Sequence, residues 1–193
     1  MTGFREFKNC LATEVTGKRS SARFSWFTLI HRLVKCPERR FYFWWRYASY
    51  LYAQDSSLLK AYAKRINRKL VRKYNTEIML GAQIQLGLTI PHFTGGIVIS
   101  DKCIIGKNFK IRQNSTIGIH HSGQTGYIVI GDNVTLGASC CIIGENINIG
   151  NNVVVGAMSF INKNIPDNCT CYTKKTNEII INTSGDISPS HRH

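Results

Sequence analysis

Between residues 105 and 161, an aliphatic residue followed by a small one returns about every six residues. Most steps in this series are six residues long, whereas the step from Leu136 to Ile143 is seven and the step from Ile117 to Ile130 is thirteen. A short repeat of this kind is typical of a parallel β-helix, in which coils must stack to bury their aliphatic side chains. Three such units form one triangular coil, so the pattern predicts a mainly β fold of four to five coils.

The residues between the aliphatic positions support the same fold. Gly and Asn recur at the expected corners, in the triplets Gly106–Asn108, Gly131–Asn133 and Gly150–Asn152. Both residue types tolerate the positive φ that tight corners require. A β-sandwich of short strands is the alternative. It has no fixed period, and here the period survives an interruption, so the β-helix is favoured.

Two departures from the period are informative. Residues 119–129 form a polar, glycine-rich stretch without the aliphatic rung, which predicts a loop outside the solenoid and a place for ligand contacts. The seven-residue step through 138–142 predicts a β-bulge.

The first 76 residues differ from the rest in charge and composition. They carry 17 Lys and Arg against 4 Asp and Glu, a net charge of +13, whereas residues 77–193 carry 8 against 7. Aromatic-rich or amphipathic stretches predict helices over 24–34, 41–53 and 56–74. Two interpretations stay open, packing of the aromatic residues on the first coil or between subunits and peripheral contact with an anionic membrane. Nucleic-acid binding is disfavoured because there is no recognition motif.

Other features bear on the cellular compartment. We find no apolar run of the ~18 residues that a membrane span needs, and no signal-peptide core near the N-terminus. The seven cysteines are scattered without metal-ligand spacing. This usage predicts reduced thiols in a cytoplasmic protein and no metal site.

Four stretches of the chain resemble the serine acetyltransferase branch of the hexapeptide-repeat acyltransferases. The likeness is closest to short bacterial members that O-acetylate surface polysaccharides, such as the colanic acid acetyltransferase. The resemblance implies a left-handed β-helix, a homotrimer, and acetyl-CoA bound in grooves between subunits, with association of two trimers left open. It is carried by residues 76–100, 111–118, 130–144 and 149–168.

This resemblance divides the chain into three parts. Residues 1–76 are expected to be a basic helical segment and residues 77–168 the β-helical acetyltransferase domain. Residues 169–193 are expected to be a C-terminal extension that is partly flexible.

The resemblance also implies a catalytic pair. His92, in the run Ile90–Gly95, falls on the family's catalytic histidine, and a neutral imidazole can accept the proton of an attacking hydroxyl. Glu77 lies fifteen residues earlier, where serine acetyltransferases carry an aspartate, and could orient that imidazole. The alternatives are a corner histidine that bonds only backbone and a plain surface carboxylate.

Candidate donor-binding residues follow from the same resemblance. Four small residues match the family's Gly-Ala positions along the CoA groove, and Lys163 matches a basic residue near the nucleotide. Lys107, Lys110 and Arg112 are weaker candidates. The family's G-x-P-A turn is missing after Asn168. The four small residues are Gly137, Ala138, Gly156 and Ala157.

The acceptor is inferred from the loop. Serine acetyltransferases carry an Asp-Arg-His-Pro run there, whereas residues 125–128 contain neither Arg nor His. A serine carboxylate should need such a charge-assisted partner. We therefore expect an acetyl-CoA-dependent O-acetyltransferase acting on a sugar hydroxyl in capsule, O-antigen or exopolysaccharide synthesis, with His120, His121 and Tyr127 as candidate substrate-loop residues.

Two other functions are weighed against this expectation. The first is a serine O-acetyltransferase of cysteine biosynthesis, which shares the implied histidine and the donor groove. The second is a metal-dependent or non-catalytic β-helix. Metal-dependent relatives need three histidines, two of them close together at metal-ligand spacing. Residues 92, 120 and 121 lack that spacing, which disfavours a metal enzyme.

Overall fold

The structure is a computed structural model, and it describes residues 3–17, 24–119 and 126–174. Its N-terminal part is helical, as predicted, and includes a first helix that the sequence pattern did not reveal. Ser25 and Ser56 cap two of the helices by accepting hydrogen bonds from the amides of Thr28 and Leu59. The helices are α1 (Phe4–Glu14), α2 (Trp26–Lys35), a short 3-10 helix (Pro37–Arg39), α3 (Arg40–Tyr52) and α4 (Ser57–Tyr74).

Short strands follow α4 throughout the rest of the described chain. In chain order they are β1 (Thr76–Ile78), β2 (Gln83–Ile84), β3 (Ile97–Ile99), β4 (Cys103–Ile105), β5 (Lys110–Ile111), β6 (Thr116–Gly118), β7 (Ile128–Ile130), β8 (Thr135–Leu136), β9 (Cys141–Ile143), β10 (Ile147–Ile149), β11 (Val154–Val155), β12 (Phe160–Ile161) and β13 (Thr170–Cys171).

These strands form three parallel sheets, one on each face of a triangular solenoid. Face A has the order β1-β3-β6-β9-β12, face B the order β2-β4-β7-β10, and face C the order β5-β8-β11-β13. Successive coils therefore add one strand to each face, and the solenoid has about four turns. This is the left-handed parallel β-helix with an N-terminal helical segment that was predicted.

The inward rungs of face A keep a regular register through both interruptions. Ile78, Ile99, Ile117, Ile142 and Ile161 stack in successive strands, and all are buried. The prediction of a rung seven residues after position 136 was wrong. The preceding isoleucine points inward at the ordinary six-residue step, and β9 pairs continuously with both neighbours, so there is no bulge there.

One corner column consists of asparagines, and we call it the asparagine edge. Asn108, Asn133, Asn152 and Asn168 all have φ between 55° and 58°. Each of the first three donates a side-chain hydrogen bond to the next, with lengths of 3.0, 3.0 and 2.9 Å. The neighbouring corner glycines have another cause, since a Cβ on Gly106 would lie 2.7 Å from the backbone of the next coil.

A buried ion pair joins the helices to the first coil. The carboxylate of Glu14 in α1 binds the guanidinium of Arg46 in α3, with Nε to Oε2 at 2.8 Å. The same carboxylate accepts the amides of Gly87 and Leu88, both at 3.0 Å. Arg46 also donates to the carbonyls of residues 84 and 85. All polar atoms of this pair thus have partners, as burial of charge requires.

The aromatic helix α3 packs on the solenoid. Phe41 and Trp45 are buried, and the indole of Trp45 donates to the carbonyl of Ile78 at 3.2 Å. The packing interpretation therefore holds for this helix. Among the described residues, no helix is long and apolar enough to cross a membrane. Peripheral membrane contact stays a prediction.

Candidate active site

His92 lies in an exposed turn at residues 91–96, where the chain passes from face C to face A. The residue before this turn is held by α3. The hydroxyl of Tyr42 donates to the carbonyl of Ile90 at 3.2 Å and accepts its amide at 2.7 Å. Because two hydrogen bonds fix the backbone on one side, the turn leaves the coil in a defined direction.

Strand β1 and its preceding residue hold the other side of the turn. The hydroxyl of Thr76 donates to the carbonyl of Phe93 at 2.6 Å, and the amide of Gly96 donates to the carbonyl of Asn75 at 2.9 Å. Gly96 has φ of +66°, which a residue with a side chain rarely adopts. The backbone that carries His92 is therefore anchored on both sides, while its side chain faces solvent.

The four small residues predicted to bind the donor lie on the same edge of the solenoid. We call this the His92 edge and define it by residues 91–96, 112–115, 137–140 and 156–159. Backbone hydrogen bonds link its successive coils, from Ser139 to the carbonyl of Gln113 at 2.9 Å and from Met158 to that of Ala138 at 2.7 Å. His92, Gly137, Ala138, Gly156 and Ala157 thus share one column, although they are spread over more than sixty residues.

Two of these glycines have a packing role of their own. A Cβ on Gly137 would lie 2.5 Å from the backbone nitrogen of Ala157, and one on Gly156 would lie 3.0 Å from the Cβ of Tyr172. Close stacking of the coils therefore requires a very small residue at position 137, whether or not a ligand is bound. A Gly-Ala pair at this edge alone does not identify a CoA groove.

Glu77 lies close to the His92 turn but does not bind the imidazole in this chain. It occupies the outward position of β1, opposite Val98, and is half-buried. Glu77 and His92 each adjoin one partner of the Thr76–Phe93 hydrogen bond. Within the described residues, their side chains form neither a hydrogen bond nor an ion pair with each other. Their pairing stays a prediction.

Tyr127 and Lys163 lie on a different edge, between faces A and B. The ammonium of Lys102 sits 5.5 Å from the ring centroid of Tyr127, and Lys163 is exposed in the corner after β12. Face A, with Glu77 on its outer surface, separates this edge from the His92 edge. His120 and His121 lie outside the described residues.

Burial argues against several thiols as covalent nucleophiles. Burial raises the pKa of Cys103 to about 12 and that of Cys10 to about 11. The pKa of Cys141, on the outer side of face A, is raised by burial and then by the neighbouring Cys140. A thiolate is the reactive form, so these thiols stay protonated at neutral pH. Direct attack by an acceptor hydroxyl is the chemistry that His92 suits.

Two residues that support the site, Tyr42 and Thr76, were not identified from the sequence. Tyr42 is 48 residues from the backbone it holds, and Thr76 is 17 residues from its partner. Thr76 has a weak signal, because a hydroxyl at an inward strand position, here opposite Ile97, must find a hydrogen-bond acceptor.

Known proteins resemble about two thirds of this chain in sequence. No family model matches. Serine acetyltransferase 3 of Arabidopsis thaliana is 35% identical over 127 residues, 65% of this chain and 31% of that protein. Serine acetyltransferase of Synechococcus elongatus is 33% identical over 127 residues, 65% of this chain and 50% of that protein. The chain thus spans half or less of the length of these relatives.

A solved structure extends the likeness to nearly the whole chain. Serine acetyltransferase isoform 3 of Entamoeba histolytica, in complex with cysteine, matches with a TM-score of 0.69 and 25% identity. The match covers 92% of this chain and 60% of that one. The helical segment is therefore included in the structural likeness.

These comparisons overturn the expected acceptor. The relatives are serine acetyltransferases, so the prediction of a sugar hydroxyl, and of closeness to polysaccharide O-acetyltransferases, was wrong. The physical error lay in treating one missing arginine and histidine as the loss of carboxylate binding. A carboxylate needs a nearby cation, and that cation can come from any element around the site.

Proposed function

We propose that this chain is an acetyl-CoA-dependent serine O-acetyltransferase, the activity that yields O-acetylserine for cysteine biosynthesis. The proposal is carried by the edge that His92 shares with the four small residues predicted to bind the donor, in a solenoid whose relatives are serine acetyltransferases. Neither half suffices alone, because the fold also serves as a scaffold and an exposed histidine is common.

The proposed reaction is direct transfer. His92 accepts the proton of the serine hydroxyl as its oxygen attacks the thioester carbonyl carbon. The new C–O bond forms, the C–S bond breaks, and the CoA thiolate leaves and takes up that proton from the imidazolium. Glu77, on the adjoining strand, would stabilise the imidazolium and fix its tautomer once substrate draws the two side chains together.

The donor would lie along the His92 edge. The small side chains of Ala138 and Ala157 would allow a ligand to approach the backbone of that edge. Exposed Met158 beside them offers an apolar contact for the pantetheine arm. We assign Lys163 to a CoA phosphate on the far side of face A. A homotrimer would close this groove with a second subunit.

We assign the serine carboxylate to Arg112. Among the described residues of the His92 edge, Arg112 is the single formal cation, and it is exposed. It lies in the coil that stacks on the His92 turn, beside Gln113, whose Cβ would lie 2.3 Å from a Cβ on Gly95. This guanidinium would serve in place of the arginine that is missing at residues 125–128.

Release of CoA tests the reaction. We expect purified protein and acetyl-CoA to release CoA with L-serine, and mass spectrometry to identify O-acetylserine. Free sugars and polysaccharide repeat units should give no release above hydrolysis. Robust turnover with a sugar and none with serine would overturn the proposal.

Kinetics of position 112 test the carboxylate assignment. Loss of a charge-assisted hydrogen bond of about 1.5–3 kcal/mol should raise the serine KM by roughly tenfold to a hundredfold in Arg112→Ala. The KM for acetyl-CoA should stay near wild type, and Lys107→Ala serves as the matched cation control. An equal rise in both KM values would show that the guanidinium does not bind serine.

A further inference from the structure

Helix α2 presents an apolar surface that the described chain does not cover. Within Trp26–Lys35, Leu29 alone is buried. Trp26, Phe27, Ile30 and Val34 are 47%, 81%, 59% and 70% exposed. Their helical spacing places them along one side of the helix. We call these four residues the α2 stripe. Large apolar side chains grouped in this way mark an interaction surface.

The helix is anchored to the rest of the protein, so the stripe has a fixed place. The buried Leu29 belongs to the continuous hydrophobic core. At the C-terminal end of α2, the Nε of Arg40 donates to the carbonyl of Leu33 at 2.8 Å. This bond satisfies one of the last carbonyls of the helix. The stripe is therefore held by a helix that is docked through Leu29 and through its C-terminal end.

A groove rich in cations adjoins that anchor. Arg40 also lines a groove of about 350 Å³ between α3 and α4, which we call the cationic groove. Trp44, Tyr62 and other apolar residues form part of its wall, and none of the described residues that line it is acidic. Its four cations are Arg40, Arg65, Lys69 and Lys73.

The charge argues against two possible occupants. A second copy of this surface would bring the same cations together, and residues 1–76 already carry a net charge of +13. Symmetric pairing through the groove would therefore be repulsive. A nucleic acid would pair its phosphates with the cations. It would leave Ile30 and Val34 exposed, because bases stack on aromatic and not on aliphatic side chains.

We propose that the α2 stripe and the cationic groove bind the surface of an anionic lipid bilayer. The stripe would enter the boundary between headgroups and acyl chains, and the groove cations would meet lipid phosphates. Arg40, which bonds to the end of α2 and also lines the groove, places the two features next to each other. The proposal stands independently of the acetyltransferase assignment, because none of its residues lies on the His92 edge.

Vesicle co-sedimentation of the full chain tests the proposal. We expect binding to vesicles that mix phosphatidylglycerol with phosphatidylcholine, little binding to phosphatidylcholine alone, and weaker binding as salt rises. Each groove cation removed should lower the partition coefficient about fivefold. Lys69→Glu with Lys73→Glu should therefore reduce binding strongly, whereas Lys107→Glu on the solenoid should leave it nearly unchanged.

A second variant separates the stripe from charge alone. Phe27→Ser, Ile30→Ser and Val34→Ser together should abolish binding without a loss of thermal stability, because all three side chains are exposed. Val154→Ser, an exposed valine on face C, is the matched control. Unchanged vesicle binding by the triple variant would overturn the proposal. So would wild-type protein that ignores anionic vesicles while the triple variant changes only its oligomeric mass in light scattering.

Discussion

Two edges of the same solenoid use one backbone geometry with different side chains. The asparagine edge has four asparagines at φ of 55–58°, joined by side-chain hydrogen bonds. The His92 edge has Gly96, Asn114, Ser139 and Met158 at φ of 55–66°, four different residue types. Positive φ alone thus does not require asparagine. Repetition of asparagine produces a ladder of side-chain hydrogen bonds on one edge. The varied residues of the His92 edge form no such ladder and can include functional side chains.

The largest expected effect is on the His92 edge. His92→Ala should lower kcat by about 10²–10⁴, the usual contribution of a general base, with no change in thermal stability. Release of CoA with L-serine and a thermal melt measure the two quantities. His31→Ala, at an exposed histidine of α2, is the control and should retain full activity. If the His92 variant keeps activity within tenfold of wild type, the imidazole is not the base.

The asparagine edge should respond in the opposite way. Asn133→Ala removes a donated and an accepted ladder bond and places alanine at φ of 58°. The expected loss is about 1–3 kcal/mol of unfolding free energy with kcat unchanged. Urea denaturation measures it. Asn133→Gly keeps the backbone relaxed and should lose less, and equal losses in both variants would mean that φ contributes nothing.

The solenoid core, unlike either edge, should lose stability in alkali because of one buried thiol. The pKa of Cys103 is raised from 9.0 to about 12, so the unfolded chain releases this proton first as pH rises. The contribution of Cys103 to the unfolding free energy is therefore fully present below pH 9. Above pH 9 it is lost by about 1 kcal/mol per pH unit. The slope of unfolding free energy between pH 9 and 10 should be shallower in Cys103→Ala. An unchanged slope there, with Cys36→Ala as control, would exclude the thiol as its source.

The smallest expected effect tests how much stability is lost when a residue other than asparagine adopts positive φ on the His92 edge. Met158 has φ of 58° without the tolerance of asparagine. Met158→Asn should stabilise the fold by about 0.5–1 kcal/mol. The same change should raise the KM for acetyl-CoA if the methionine contacts the pantetheine arm. Met79→Asn, at another exposed methionine without positive φ, should give no gain. A gain there would mean that replacing an exposed apolar side chain by an amide stabilises the fold without any effect of φ.

The repeat predicted the solenoid because its physical cause is local. Inward aliphatic residues and corner asparagines each follow from the period, and both are observed. The rung at position 143 was misplaced because two adjacent isoleucines satisfy the pattern equally, and only the pairing of β9 separates them. The support of Ile90 by Tyr42 was invisible because it joins elements with no common pattern.

The candidate site was only partly predictable for a related reason. His92 was identified from a motif, and the column it shares with Ala138 and Ala157 follows from stacking. The prediction of a sugar acceptor was wrong because the absence of an arginine from the loop does not exclude cations on other coils. Arg112 lies next to the turn only in three dimensions.

The buried pair of Glu14 and Arg46 has a consequence for the order of folding. Its charges lie in the first 46 residues, yet four of its hydrogen bonds go to backbone at residues 84–88. During synthesis, the helices leave the ribosome before those partners exist. Closing them early would bury two charges with half of their bonds unmade, which is unfavourable. The helical segment must therefore wait for the first coil, and the change of composition near residue 76 is a boundary in sequence across which the chain folds as one unit.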